Sequence, residues 1–230
     1  MNPLVIFDID GTLCDTSDVD GECFSKVMSR LLDVPITPLS WRGVPHVTDA
    51  GIADMLWNRY LHRSPDAGEW EAIVTAYESE LRRELEAAPQ RFSAIKGAPE
   101  ILERLIADGW NIAISTGGWR RTASLKLSTA NIPLELLVAT CDDSIDRFEI
   151  FRLARDRSFE KLKEPLEKTV IVGDGPWDVR VAAFHRWGFL GIGKGKNAER
   201  LLAAGASVVV EDYSDQKRVV DLLKNCSMPK

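Results

Sequence analysis

Leu4-Val5-Ile6-Phe7-Asp8-Ile9-Asp10-Gly11-Thr12 is the stretch on which the fold turns. Its first four residues form a short apolar run rich in β-branched side chains. That is the pattern of a buried strand, expected here over residues 3–8. Two carboxylates two residues apart close the run, and Gly11 breaks it. Asp8 and Asp10 then lie at the exit of a strand, where open α/β sheets bind ligands. Nothing in the adjoining sequence neutralises them, so a cation or a reaction is expected there.

Outward from this strand the pattern changes. Residues 15–96 are helical in period, with Phe24, Val27, Met28, Leu31 and Leu32 on one stripe. Gly68 to Ala88 repeats the pattern with Trp70, Ile73, Val74, Tyr77, Leu81 and Leu85. Pro35 to Pro38 breaks the first helix, 41–48 reads as a loop, and Tyr60, His62 and Arg63 read as a helix end. No strand-like run occurs before residue 111.

From Gly97 helix and strand alternate. Helices are expected at 98–108, 119–130, 147–163 and 176–187, and strands at 112–114, 136–139, 170–172, 190–192 and 208–210. Such alternation implies a parallel sheet covered on both faces. The expected architecture is α/β, a Rossmann-like three-layer core with an inserted all-helical cap. The core comprises 1–14 and 97–230, and the cap 15–96.

Three of these strands end in polar residues: Asp8 and Asp10, then Thr116 (with Ser115 as the close alternative), then Asp174 with Asp178 four residues on. The carboxyl ends of parallel strands share one edge, so these groups converge. Four aspartates there repel one another unless a hard cation is bound. Oxygen ligands without nearby His or Cys favour Mg²⁺ over zinc.

In these residues the chain resembles the haloacid dehalogenase superfamily of phosphohydrolases, over essentially its whole length. The family's DxDGT motif matches Asp8, Asp10, Gly11 and Thr12. Its second motif matches Thr116, and its GDxxxD motif matches Gly173, Asp174 and Asp178. The resemblance implies that Asp8 attacks phosphorus and that Asp10 is the acid and base. It also implies that Mg²⁺ lies among Asp8, the Asp10 main-chain carbonyl and Asp174, with Asp178 supporting its water shell or a neighbour. The Thr116 hydroxyl and the Gly117 N–H would hold phosphate oxygens. An aspartate at position 10 argues for metal-dependent phosphoryl transfer rather than dehalogenation. The phosphoglycolate phosphatase and β-phosphoglucomutase branch carries helical caps in this position.

The family's third motif is a cation, usually Lys, that neutralises the phosphoryl group. Arg147, at the start of a helix, and Lys126, on the helix after Thr116, are the two candidates. The guanidinium fork of Arg147 suits phosphate. In the cap, Arg42 and His46 are candidates for substrate binding, set against a plain solvated loop. Trp119 and Trp177 are expected to pack rather than touch substrate.

The 230 residues carry a net charge of −6, which argues against a nucleic-acid partner but not against a small phosphorylated metabolite. Cys14, Cys23, Cys141 and Cys226 form no CxxC pair and read as free thiols of a reducing compartment. No signal peptide and no membrane span is expected, and a cytoplasmic monomer or homodimer fits. The expected activity is Mg²⁺-dependent hydrolysis of a small phosphomonoester through an aspartyl-phosphate on Asp8. Three competitors are a sugar phosphomutase, a phosphonoacetaldehyde hydrolase and a non-catalytic phosphometabolite sensor. The hydrolase would need a cap lysine, for which only Lys26, with Lys96 at the edge, is on offer.

Overall fold

Strand β1 (Pro3–Phe7) is buried on both faces because its side chains alternate between two apolar layers. Leu4 and Ile6 join one cluster, and Val5 and Phe7 join the other. The computed structural model describes residues 2–37, 44 and 46–229. Arg42 lies outside the described residues, as does half of the loop expected at 41–48.

Three helices follow β1: α1 (Ser17–Leu32), α2 (Asp49–Leu61) and α3 (Ala67–Ala87). Then come α4 (Ala98–Ala107), β2 (Asn111–Ser115), α5 (Arg120–Thr129), β3 (Leu137–Ala139), α6 (Arg147–Leu162) and β4 (Lys168–Gly173). The chain finishes with α7 (Pro176–His185), β5 (Gly188–Ile192), α8 (Gly195–Ala203), β6 (Val209–Val210) and α9 (Gln216–Asn225). All strand pairs are parallel, in the order β3-β2-β1-β4-β5-β6. The direction of winding reverses between β1 and β4, so the crevice beyond their carboxyl ends is the switch point where such sheets bind ligands.

Helices α4 and α9 cover one face through Ile101, Leu102, Leu105, Val219, Val220 and Leu223. The other face carries Ile150, Phe151 and Ala154 of α6 and Val179, Val181 and Ala182 of α7. This second cluster runs on into the helices after β1. Phe24 of α1 meets Tyr77 of α3 edge-on at 5.5 Å, and both contact Trp119 in front of α5, at 6.3 and 6.0 Å. Trp119 is therefore a packing residue, as expected.

Three helices have no range in the sequence reading. Helix α2 starts directly after the loop expected at 41–48, where the Thr48 hydroxyl oxygen accepts from the Gly51 N–H at 3.0 Å and caps it. It ends at Leu61 with His62 in the left-handed conformation (φ 56°), which agrees with a helix end at residues 60–63. Helix α8 lies in a stretch between two expected strands that the sequence reading leaves unassigned. Helix α9 is capped by Asp215, which accepts from the Arg218 N–H at 3.0 Å. Both are short and bury only a narrow stripe, so their periodic signal is brief.

Candidate active site

The end of β1 delivers Asp8 and the turn after it delivers Asp10. The Asp8 N–H still donates to the Val172 carbonyl of β4 at 3.0 Å, which holds the turn against the neighbouring strand. Gly11 then takes φ +73°, and a Cβ there would lie 2.3 Å from Asp174 Oδ2. Only glycine lets this turn pass so close to the aspartate that ends β4.

Asp8, Asp174 and Asp178 each offer a carboxylate oxygen, and the three oxygens lie within 4.8 Å of one another. Burial pushes the Asp8 carboxyl up to about 8, against the opposing pull of Arg147. Burial also holds Asp174 well above the carboxylate range, and repulsion from Asp8 and Asp178 adds to it. Asp178 is raised by burial too, again opposed by Arg147. The cluster carries three carboxylates against the one guanidinium of Arg147. Its all-oxygen donor set fits a hard divalent cation such as Mg²⁺.

Two buried cations already meet part of this charge, a feature the sequence reading did not anticipate. Arg147, at the first position of α6, donates through Nη2 to Asp8 Oδ1 at 2.9 Å. It also donates to Asp178 Oδ1 through Nε and Nη2, at 2.9 and 2.7 Å. Its Nη1 donates to the Val47 carbonyl at 3.0 Å. Lys126 of α5 takes the other carboxylate. Its Nζ lies 2.8 Å from both Asp10 oxygens and also donates to Asp20 of α1. Burial works against its charge, but Asp10 and Asp20 outweigh it and raise the ammonium above its ordinary value. The Asp10 carboxylate thus stands apart from the Asp8–Asp174–Asp178 cluster and also accepts from the Thr16 hydroxyl at 2.5 Å.

Thr116 and Gly117 follow β2, and with Gly118 they line a cavity of about 400 Å³ shared with Asp8, Asp10, Arg147 and Asp174. The Thr116 hydroxyl oxygen accepts from the Gly118 N–H at 3.1 Å. A Cβ on Gly117 would lie 2.6 Å from Arg147 Nη1 and 2.7 Å from the Val47 carbonyl oxygen. Glycine at 117 therefore lets the loop after β2, the segment before α2 and the arginine converge.

His46 lies elsewhere. It does not line this cavity but a smaller one with Phe148 and Arg180, and its Nδ1 is 3.8 Å from Asp146 Oδ1. Lys126 is not among the cavity's lining residues either. Trp177 is half-buried and lines the cavity, with the Arg147 guanidinium 5.9 Å from its ring.

Asp49, Asp20 and Arg200 also line the cavity and were not singled out from the sequence. Asp49 opens α2; its Oδ2 is buried without a hydrogen-bond partner, and burial holds its carboxyl well above the ordinary range. Both aspartates lie in the first turn of a helix, where an acid reads as a partner of the dipole. The Thr48-Asp49 pair ahead of an apolar stretch was the available signal.

The model of the haloacid dehalogenase-like hydrolases matches residues 3–185. A phosphoglycolate phosphatase of Agrobacterium fabrum is 23% identical over 224 residues, spanning 93% of this chain and 90% of that protein. A hydrolase from Pseudomonas syringae superposes with a TM-score of 0.72 at 23% identity, over 96% of this chain and 98% of that one. CbbY from Rhodobacter sphaeroides, solved in complex with phosphate, gives 0.66 at 16% identity over 94% and 96%. At these identities the structural likeness speaks to the fold.

Proposed function

The chain belongs to the haloacid dehalogenase-like hydrolase family, and from that premise we propose that it is a Mg²⁺-dependent phosphatase of small phosphomonoesters. The observation that carries this reading is the pairing of each of two aspartates with its own buried cation at one cavity. One carboxylate, Asp8, sits with Arg147 where a phosphoryl group would enter. The other, Asp10, is held separately, as an acid and base must be.

Asp8 attacks phosphorus, so the Asp8–P bond forms while the bond to the leaving oxygen breaks. Asp10 gives that oxygen its proton. In the second half Asp10 takes a proton from water, the water oxygen bonds to phosphorus, and the aspartyl-phosphate opens to inorganic phosphate. Arg147 keeps Asp8 aimed and faces the phosphoryl charge, while Thr116 and Gly117 receive its oxygens. Asp8, Asp174 and the Asp10 main-chain carbonyl, with Asp178 in support, would hold Mg²⁺, which would supply positive charge beside the transferring group.

The helices of 15–96 act as a cap that closes the cavity and admits the leaving group, and residues 1–14 and 97–230 form the core. The A. fabrum relative is a phosphoglycolate phosphatase, which supports a small phosphorylated metabolite as substrate. No helix among the described residues is long and apolar enough to cross a membrane, which is compatible with a cytoplasmic enzyme. The phosphonoacetaldehyde reading is disfavoured. No lysine is among the described residues lining the cavity, and Lys26 Nζ lies 2.6 Å from Glu80 Oε1 on an exposed side chain.

Phosphate release from a panel of phosphomonoesters, with Mg²⁺ and with EDTA, tests the proposal. Metal-dependent release by the wild type, absent in Asp8→Asn, supports it. Release that survives the substitution removes the mechanism. Conversion of a sugar phosphate to its isomer without net release makes the chain a mutase.

A further inference from the structure

Lys126 costs the fold a buried ammonium and yet does not reach the cavity. It is 1% exposed, and its Nζ contacts are to Asp10 and Asp20 rather than to the loop of Thr116 and Gly117. Burying a charge in this way is weak evidence for stability, because desolvation offsets much of the Coulombic gain. What the arrangement supplies is position. Both Asp10 oxygens are held at 2.8 Å by one ammonium, and Oδ1 is also held by the Thr16 hydroxyl. The plane of this carboxylate is set while its residue still lines the cavity.

The far side of the ammonium is fixed as well. Asp20, in the first turn of α1, receives Lys126 and the Tyr77 hydroxyl of α3. Tyr77 is fully buried between Phe24 and Trp119. One chain of contacts thus runs from the turn after β1, through α5, into two helices of the 15–96 segment.

We propose that Lys126 is a positioning residue for Asp10, which it fixes for proton delivery to the leaving oxygen and ties through Asp20 and Tyr77 to the helices over the site. This rests on the phosphatase reading and assigns Lys126 a task different from neutralising phosphate. A cation on the phosphoryl group would serve every substrate alike. A cation that places the acid serves only substrates whose leaving oxygen must be protonated.

The test is kcat/KM for wild type and Lys126→Met on two substrates, an alkyl phosphomonoester turned over by the wild type and 4-nitrophenyl phosphate. The constant kcat/KM covers the steps up to departure of the leaving group. Nitrophenolate leaves without a proton, whereas an alkoxide does not. A misplaced acid costs on the order of 10²-fold on the alkyl substrate, and about fivefold or less is expected on 4-nitrophenyl phosphate. Should Lys126→Met leave too much unpaired charge to fold, the pair Lys126→Met with Asp20→Asn removes one cation and one anion together and is read the same way.

Equal losses on both substrates overturn the proposal, since they mark a phosphate-binding or merely structural role. No loss on either overturns it as well. If the wild type turns over neither substrate on a broad panel, the phosphatase reading itself fails. That result is distinct from a wild type that works and a variant that shows no substrate split.

Discussion

Arg147, at the first position of α6, reaches Asp8 just past the carboxyl end of β1. Its Nη2 lies 2.9 Å from Asp8 Oδ1, although 139 residues separate the two in the chain. The same guanidinium makes two bonds to one oxygen of Asp178, so removing it strands two buried carboxylates at once. Breaking one side of a buried ion pair costs about 3–5 kcal/mol. Arg147→Ala is expected to lose stability in that range, measured by urea unfolding, and to lose about 10²–10³-fold in kcat/KM. Arg147→Lys keeps the charge but not the fork, so its loss of stability should be the smaller one. If alanine unfolds at the same urea concentration as the wild type, the pairing has no energetic weight.

Gly117 makes a sharper steric prediction. Its added methyl group would meet Arg147 Nη1 at 2.6 Å on one side and the Val47 carbonyl oxygen at 2.7 Å on the other. The arginine is itself held by Asp8 and Asp178, so it has little room to yield. Gly117→Ala should cost about 1–3 kcal/mol by overpacking. Activity should fall further than that loss accounts for, because Arg147 is pushed off Asp8. A crystal structure of the variant with Arg147 unmoved and full kcat/KM would contradict this.

Metal binding should be visible without turnover. Asp174 is held well above the carboxylate range by burial and by repulsion from Asp8 and Asp178, and a bound cation relieves that. Thermal unfolding of the wild type should therefore shift upward with Mg²⁺, by an amount worth about 2.7 kcal/mol at a hundredfold excess over Kd. Asp174→Asn keeps the shape and removes the charge. It should be at least as stable as the wild type without metal, yet show no upward shift with Mg²⁺. An Mg²⁺ response that persists in this variant would place the ion elsewhere.

What could be read from the chain, and what could not, follows from range. The run Leu4 to Phe7 and the glycine after Asp10 are local signals, and β1 and its turn are where they indicate. Asp174 and Asp178 could be brought to the same edge because parallel strands share one. The choice between Arg147 and Lys126 stayed open because it depends on which carboxylate each reaches, across 139 and 116 residues. No periodicity encodes that. His46 illustrates the converse. A histidine in a polar loop looks available for substrate, but the chain entering α2 turns it toward Asp146 and away from the main cavity.

His185 gives the pH dependence a sign. It lies at the end of α7, half-buried, with Nε2 3.0 Å from the Phe148 carbonyl and its ring stacked 4.4 Å from Trp187. Burial lowers its pKa from the ordinary 6.5; the Phe148 carbonyl and Glu149 oppose this, while Arg152 and Arg155 reinforce it. The unfolded chain therefore takes up a proton before the folded one does. Above the ordinary value both states are neutral at this position, and pH has no effect through it. As pH falls through 6.5, protonation favours the unfolded state. Stability then declines by at most about 1.4 kcal/mol per pH unit, until the folded-state pKa is passed and the slope vanishes. His185→Gln removes this component and leaves every carboxylate in place, so the comparison isolates the imidazole. Urea unfolding of both proteins at pH 7.5 and pH 5.5 should show the wild type losing more stability than the variant over that interval. Parallel losses would mean that the fold does not discriminate between the two forms of this imidazole.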